Sequence, residues 1–232
     1  MIVHNNLEES IYQTSLALGV FDGVHLGHKS VINSSVRGSK LYDEICEDVK
    51  ANLLPTIFTF KDIPNVKSNS NCRIISLRES NYIFKQLGVK QVYYISFDEI
   101  SFFSPLDFVE NIIVKKLKAK RVYCGFNYHF GYKGKSTACD LKDLCRNKGI
   151  EVFISKPIKI NDMIISSTQI KDLIKKGDIV TANCMLGRKF SFNYKVVQGR
   201  KLGRTMGIPT INQIFEDDMV IPRFGVMHTL QI

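Results

Sequence analysis

Two histidines three residues apart, His25 and His28, stand in the segment FDGVHLGH, directly after the apolar run LALGV at residues 16–20. A strand feeding a helix at that point places positions i and i+3 on one face of the first helical turn. Gly27 between them lets a ligand approach the backbone. The free N–H groups of a helix start can hold a phosphate, and two imidazoles beside it could stabilise charge on a triphosphate under attack. Nucleotidyl transfer runs mainly on placement and electrostatics, so it needs no side-chain nucleophile. The bland alternative is two surface histidines on a tight turn, and the residues alone leave both open. A zinc pair would need a third ligand that the neighbourhood does not suggest.

Three further segments carry candidate chemistry. In ISSTQIKDLIKKGD, Ser167 or Thr168 can cap a helix whose apolar stripe is Ile170, Leu173 and Ile174 and whose stop is Gly177. That is equally the reading of an ordinary capped helix. In GFNYHFGYKGKS, Phe126, Tyr128 and Phe130 could wall a flat ring, and Lys133 and Lys135 could meet a phosphate. Alternatively, a strand there simply runs on past its sheet. Finally, GRKLGRTMGIPTIN at 199–212 is rich in glycine and lies between two short apolar segments.

The elements that would position these groups alternate. Apolar strands are expected at 16–20, 54–60, 92–96, 121–125 and 151–155. Helices are expected at 29–36, resuming at 41–49 after an interruption at Gly38, and at 77–87, 105–117 and 141–148. Ser104 and Pro105 suit the cap and first turn of the third of these regions. Residues 63–72 read as a loop. Such alternation predicts an α/β fold with a parallel sheet, whose ligands bind beyond the carboxyl ends of the strands. FDGVHLGH and GFNYHFGYKGKS each follow a strand and would share one rim. After Leu186 the texture turns to short strands, near 194–197 and 226–230, which places a domain boundary near Gly187.

Bulk composition sets the bounds. The chain has 232 residues, 44% hydrophobic and 23% charged, ordinary values for a globular protein. The polar start carries no secretory leader pattern and no apolar run reaches the ~18 residues of a membrane span, so a cytoplasmic location without a membrane partner is expected. None of the six cysteines forms a CxxC pair, and reduced, structural thiols are expected. The net charge of +10 suits a polyanionic partner, nucleotide phosphates or nucleic acid, or simply a lysine-rich solvated surface. The densest basic run, Lys115 to Arg121, closes an expected helix, where cations suit the macrodipole. No nucleic-acid motif is recognisable, so nucleic acid is not expected as a partner.

Together these motifs resemble, in order and over nearly the whole chain, the prokaryotic bifunctional FAD synthetases (riboflavin kinase/FMN adenylyltransferases). The first signature is GVFDGVHLGH, and the last is LGRKFSFNYKVVQGRKLGRTMGIPTIN. The resemblance implies a Rossmann-like HxGH nucleotidyltransferase domain over 1–186, followed by a partial antiparallel β-barrel over 187–232. It implies ATP and FMN as substrates, with Mg²⁺. His25 and His28 would contact the ATP phosphates, while Gly19, Phe21, Asp22, Gly23 and Gly27 shape the nucleotide pocket. Ser166, Ser167 and Thr168 match the family's Ser-Ser-Thr helix start, and Lys171 replaces its arginine, keeping charge without the planar fork. Phe126, Asn127, Tyr128 and Phe130 would line the flavin site.

The family's acidic residue after Thr-Phe is displaced here to Asp62, and its Pro-His-Pro is absent. In the kinase module Gly203, Gly207, Thr210 and Asn212 match the ATP/Mg²⁺ motif, with Thr210 the metal ligand if that module is intact. The chain ends at Ile232, short of the family's later barrel strands and catalytic glutamate, so no riboflavin kinase activity is expected. Three alternatives remain at this level. One is another HxGH nucleotidyltransferase, which the 195–212 segment disfavours. The second is a non-enzymatic flavin- or nucleotide-binding remnant, favoured by Lys61, Ile63 and Lys171. The third is a nucleic-acid binder, supported by charge alone.

Overall fold

The computed structural model describes residues 1–45 (41–45 as backbone), 53–62, 72–192, 194–199, 207, 212–214 and 218–225. The expected loop at 63–72, apart from Cys72, and the expected strand at 226–230 lie outside them.

Among the described residues, six strands form one wholly parallel sheet: β1 (Ile2–His4), β2 (Thr14–Leu18), β3 (Leu54–Phe60), β4 (Gln91–Ile95), β5 (Ala119–Gly125) and β8 (Glu151–Ser155). Two short strands intervene, β6 (His129–Phe130) and β7 (Ser136–Thr137). The central strands read as continuous apolar runs because both faces are covered. Side chains alternate between faces along each strand. Leu16, Leu18, Phe58, Tyr93, Ile95, Val122 and Cys124 join one core cluster, while Ala17, Ile57, Val92, Tyr94 and Tyr123 join the other.

The first face is covered by α4 (Pro105–Asp107), which continues as a π-helix over Phe108–Lys116, and by α5 (Ala138–Arg146). The second carries α1 (Leu26–Ile45), α2 (Leu77–Gln86), α6 (Ser167–Lys176) and α7 (Ile179–Leu186). One turn of helix, α3 (Phe97–Ile100), follows β4.

The sheet order is β1-β4-β3-β2-β5-β8. The chain steps outward from β2 through β3 to β4, then returns to the other side of β2 as β5. That reversal opens a crevice between the carboxyl ends of β2 and β5, where sheets of this kind bind ligands. The loops leaving those two strands are residues 19–25 and 126–135.

Two helices differ from the sequence expectation. Gly38 does not interrupt α1, which is one helix of 20 residues. A Cβ at Gly38 would sit 1.8 Å from the Tyr123 hydroxyl, and Arg121 Nη1 donates to Gly38 O at 3.0 Å. The glycine therefore permits close approach of helix to sheet instead of ending the helix. The 105–117 helix opens as expected, with Ser104 Oγ accepting from Asp107 N at 3.1 Å. It then widens to the π form, in which Leu117 N donates to Ile112 O at 2.8 Å and Phe108, Val109, Ile112 and Ile113 are all buried. A π-helix is uncommon and gives no separate periodic signal over one short segment.

Several of the described elements carry no clear mark in the sequence. β1 is too short to show a period, and α7 is apolar over most of its length. The hairpin β9 (Lys159–Ile160) with β10 (Met163–Ile164) is four residues of strand in all. Past α7, β11 (Val196–Val197) pairs antiparallel with β12 (Asn212–Gln213). Residues 218–220 then return to the sheet domain: Arg73 N donates to Asp218 O, Val220 N donates to Arg73 O at 2.8 Å, and Val220 lies in the second core cluster. No described helix is long and apolar enough to cross a membrane.

Candidate active site

The turn after β2 is held in a strained shape. Phe21 has φ 52°, Gly23 φ 79° and Val24 φ 40°. Left-handed backbone is costly for a β-branched residue such as Val24 and marks turns that the surroundings over-determine. The surroundings here are explicit. Gly19 leaves room for the Phe21 ring, which would lie 3.0 Å from a Cβ there, and a Cβ on Gly23 would meet Ile74 Cδ1 at 2.8 Å. The Phe21 ring then packs edge-on beneath His28, with centroids 5.4 Å apart.

This turn sets the two histidines against each other. Their rings stack at 3.6 Å between centroids, and His28 N donates to His25 Nδ1 at 3.2 Å. That bond leaves the His25 proton on Nε2. Gly27 is small because a Cβ there would lie 3.0 Å from His25 Cε1. Burial and the nearby Arg188 charge pull the His25 pKa down to about 4, and burial together with His25 holds His28 well below its ordinary value. Both rings are therefore neutral at pH 7 and act as hydrogen-bond groups, not fixed charges. His28 Nδ1 is buried and has no partner among the described residues.

Asp22 ties the turn to the rest of the rim. Its Oδ1 accepts from Ile74 N at 2.9 Å, its carbonyl accepts from Ser167 Oγ at 2.9 Å, and its Oδ2 lies 2.7 Å from Lys171 Nζ. The α6 start thus abuts the histidine turn although the two are far apart in sequence. Its cap is Ser166, whose Oγ accepts from Gln169 N at 3.3 Å, not Ser167 or Thr168 as expected. Ser167 is instead turned to Asp22, and Thr168 is exposed at the tip. Lys171 is 8% exposed and its charge is neutralised by Asp22.

Two cations that sequence reasoning missed border the turn. Lys29 Nζ donates to Leu186 O at 3.1 Å and Gly187 O at 3.2 Å, and Arg188 Nη1 donates to Val24 O at 3.3 Å. A Cβ on Gly187 would lie 2.4 Å from Leu26 Cδ2, so the expected domain boundary is a point of tight packing on α1.

Across the crevice the second loop is built differently. Phe126 is 44% exposed and Asn127 is also exposed. Phe130 is buried against Phe108, and Tyr128 stacks on Phe130 within the first core cluster, so these two rings pack inward. Gly131, at φ 73°, lies against Pro105, and Lys133 Nζ sits 5.1 Å over the Tyr132 ring. Asp62 is exposed at the end of β3 and accepts from Ser96 Oγ at 3.2 Å. In the C-terminal part, Gly207 has φ 74°, and Asn212 Nδ2 would lie 1.8 Å from a Cβ on Gly199. Gly203 and Thr210 lie outside the described residues. Among those described, no group of three or more His, Cys, Asp or Glu is placed to hold a metal.

A family model described as FAD synthetase matches residues 7–169, and one described as riboflavin kinase matches 186–230. The chain is 34% identical over 219 residues to the bifunctional riboflavin kinase/FMN adenylyltransferase of Listeria monocytogenes, covering 91% of this chain and 65% of that one. It is 29% identical to the protein of that name from Bacillus subtilis, covering 96% and 69%. A solved structure titled as a macrolide-efflux protein from Streptococcus pneumoniae superposes with a TM-score of 0.81 at 27% identity, covering 97% of this chain and 72% of that one. A pantoate–β-alanine ligase from Francisella tularensis gives 0.50 at 13% identity, covering 81% and 78%, a likeness of fold alone.

Proposed function

The chain belongs to the FAD synthetase family, and from that premise we propose that it transfers the AMP moiety of ATP to FMN, giving FAD and pyrophosphate. The observation that carries the reading is the junction at Asp22. Through Ser167 and Lys171 it holds the α6 start against the turn that bears His25 and His28. One triphosphate can then meet both imidazoles and the helix N–H groups together.

A phosphate oxygen of FMN attacks the α-phosphorus of ATP, the bond from that phosphorus to the bridging oxygen breaks, and pyrophosphate leaves with the electron pair. The His25 Nε2–H, the His28 ring and the free N–H groups at Ser167 and Thr168 donate to oxygens whose charge grows in this step. Phe126 and Asn127 border the flavin, with Asp62 at the edge, while Tyr128 and Phe130 support the loop from behind. Mg²⁺ would accompany ATP as its counter-ion and would neutralise charge on the triphosphate. The described residues include no carboxylate cluster for it, and no step is assigned to it.

We also assign residues 187–232 to a partial riboflavin-kinase type barrel, in which β11 and β12 would be one pair. There Gly203, Gly207, Thr210 and Asn212 would form the nucleotide loop, with Thr210 as its metal ligand.

The test is FAD formation from FMN, ATP and Mg²⁺ by the purified chain. Replacing His25 and His28 together by alanine is expected to lower the rate by at least about a thousandfold, the scale of losing preorganised donors, while the melting transition persists. An unchanged rate removes the histidines from the chemistry. A wild-type chain that binds FMN but yields no FAD is a binding protein instead.

A further inference from the structure

Arg188 follows Gly187, whose left-handed φ of 61° ends α7. Its Nη1 is tied to the strained Val24 carbonyl, three residues before Gly27 in the HxGH turn. Its Nη2 is buried and has no hydrogen-bond partner among the described residues. An unsatisfied guanidinium N–H is costly to bury, and its obvious partner is an anion. The carboxylate that acts on Arg188 most, Glu79, is committed elsewhere. It closes the α2 cap with Ser76 and accepts from Ser191 Oγ at 3.3 Å, and no ion pair joins it to Arg188 among the described residues. The charge of Arg188 reaches both His25 and Lys29, since it depresses the protonation of each. Arg188 and Lys29 thus bring positive charge to the neutral imidazole pair, beside which the buried His28 Nδ1 is also unpartnered.

Position 171 does not supply an unneutralised charge. Lys171 is buried and held 2.7 Å from Asp22 Oδ2, and a lysine offers no planar fork. We propose that Arg188 is the residue that grips the β- and γ-phosphates of the nucleotide, and so the departing pyrophosphate, with the fork that position 171 lacks. The identity of that ligand as a nucleotide triphosphate rests on the adenylyl-transfer reading above. Arg188 lies outside residues 7–169, which match the FAD synthetase model, and within 186–230, which match the riboflavin kinase model. The leading edge of the second module thus completes the site of the first.

Calorimetric titration of the full chain with ATP, AMP and inorganic tripolyphosphate tests this without relying on turnover. Arg188→Met is expected to weaken ATP and tripolyphosphate by at least about tenfold, the scale of a lost charge-assisted hydrogen bond, with AMP binding within about twofold of wild type. Arg188→Lys, which retains the charge, is expected to recover part of the loss. Unchanged affinity for tripolyphosphate in both variants overturns the proposal, as does an equal loss for AMP, which would mark a structural role. Should the methionine variant not fold, the lysine variant decides by the same comparison of tripolyphosphate with AMP. A wild-type chain that binds tripolyphosphate through Arg188 yet forms no FAD leaves this proposal standing and sinks only the adenylyl-transfer reading. Failure of wild type to bind tripolyphosphate overturns this one.

Discussion

The two sides of the crevice are held by different means. On the β2 side the polar groups are buried: Asp22 is 4%, His25 5% and Lys171 8% exposed, Asp22 is joined to the distant Ile74 and Lys171, and His25 accepts from His28 N. On the β5 side Phe126 and Tyr132 are 44% and 51% exposed, and the groups that reach the tip bond locally, as His129 Nδ1 does to Asn127 O at 2.9 Å. The difference suits the two ligands of the proposed reaction. Charge that grows during reaction is stabilised only by dipoles already fixed and shielded from water. A flat ring gains from apolar area and tolerates a surface that settles around it. On the proposed function, the β2 side would meet the nucleotide preorganised, and the β5 side would be completed by the flavin.

The sharpest way to break this contrast is to remove the polar clamp. Lys171→Met leaves Asp22 buried without its counter-charge, which typically costs about 3–5 kcal/mol. Chemical denaturation should show that loss of stability, and near-neutral stability would mean the ion pair does not hold the turn. The opposite side should respond in binding alone. Phe126→Ala is expected to raise the KM for FMN about tenfold, the ~1.4 kcal/mol of a lost aromatic contact, while the KM for ATP and the melting temperature stay near wild type. A matching rise in the KM for ATP would show that the two sides are one rigid unit.

The smallest effect expected is on pH dependence. The folded His25 pKa is about 4, below its ordinary value, because burial and Arg188 disfavour the charged ring. Between that value and the ordinary ~6.5 the unfolded chain binds a proton that the folded chain does not. Stability therefore falls as pH drops through this window, and His25→Gln should flatten the fall in melting temperature between pH 7 and 5. ATP brings negative charge beside the ring and favours its protonated form, so the NMR titration midpoint of His25 should rise when ATP binds. A midpoint that stays put would separate His25 from the phosphates.

Much of the frame is legible in the sequence. The strand expected at 54–60 coincides with β3, which is covered on both faces, and that at 151–155 with the edge strand β8, where Val152 is buried between exposed Glu151 and Phe153. The α2 stop at Gly88 is equally clear, since its φ of 91° suits glycine. Gly38 misleads because a glycine needed for contact with Tyr123 looks, in sequence, like a glycine that ends a helix. Thr137, which opens α5 by a capping box with Asp140, gives a weak signal because the first buried position after it is only the small Ala138 and the first large one is Leu141.

The sequence by itself determined the alternation of strand and helix and the nearness of His25 to His28. It also carried the motif order that joins 7–169 to 186–230. The tertiary structure alone decided which charges are used and which stay open: Lys171 against Asp22, Tyr128 and Phe130 turned into the core, and Arg188 brought to Val24 across 164 residues. The physical reason is range. Periodicity and capping act within a turn or a strand, whereas a carboxylate is paired or a ring is buried only when the sheet brings distant segments together.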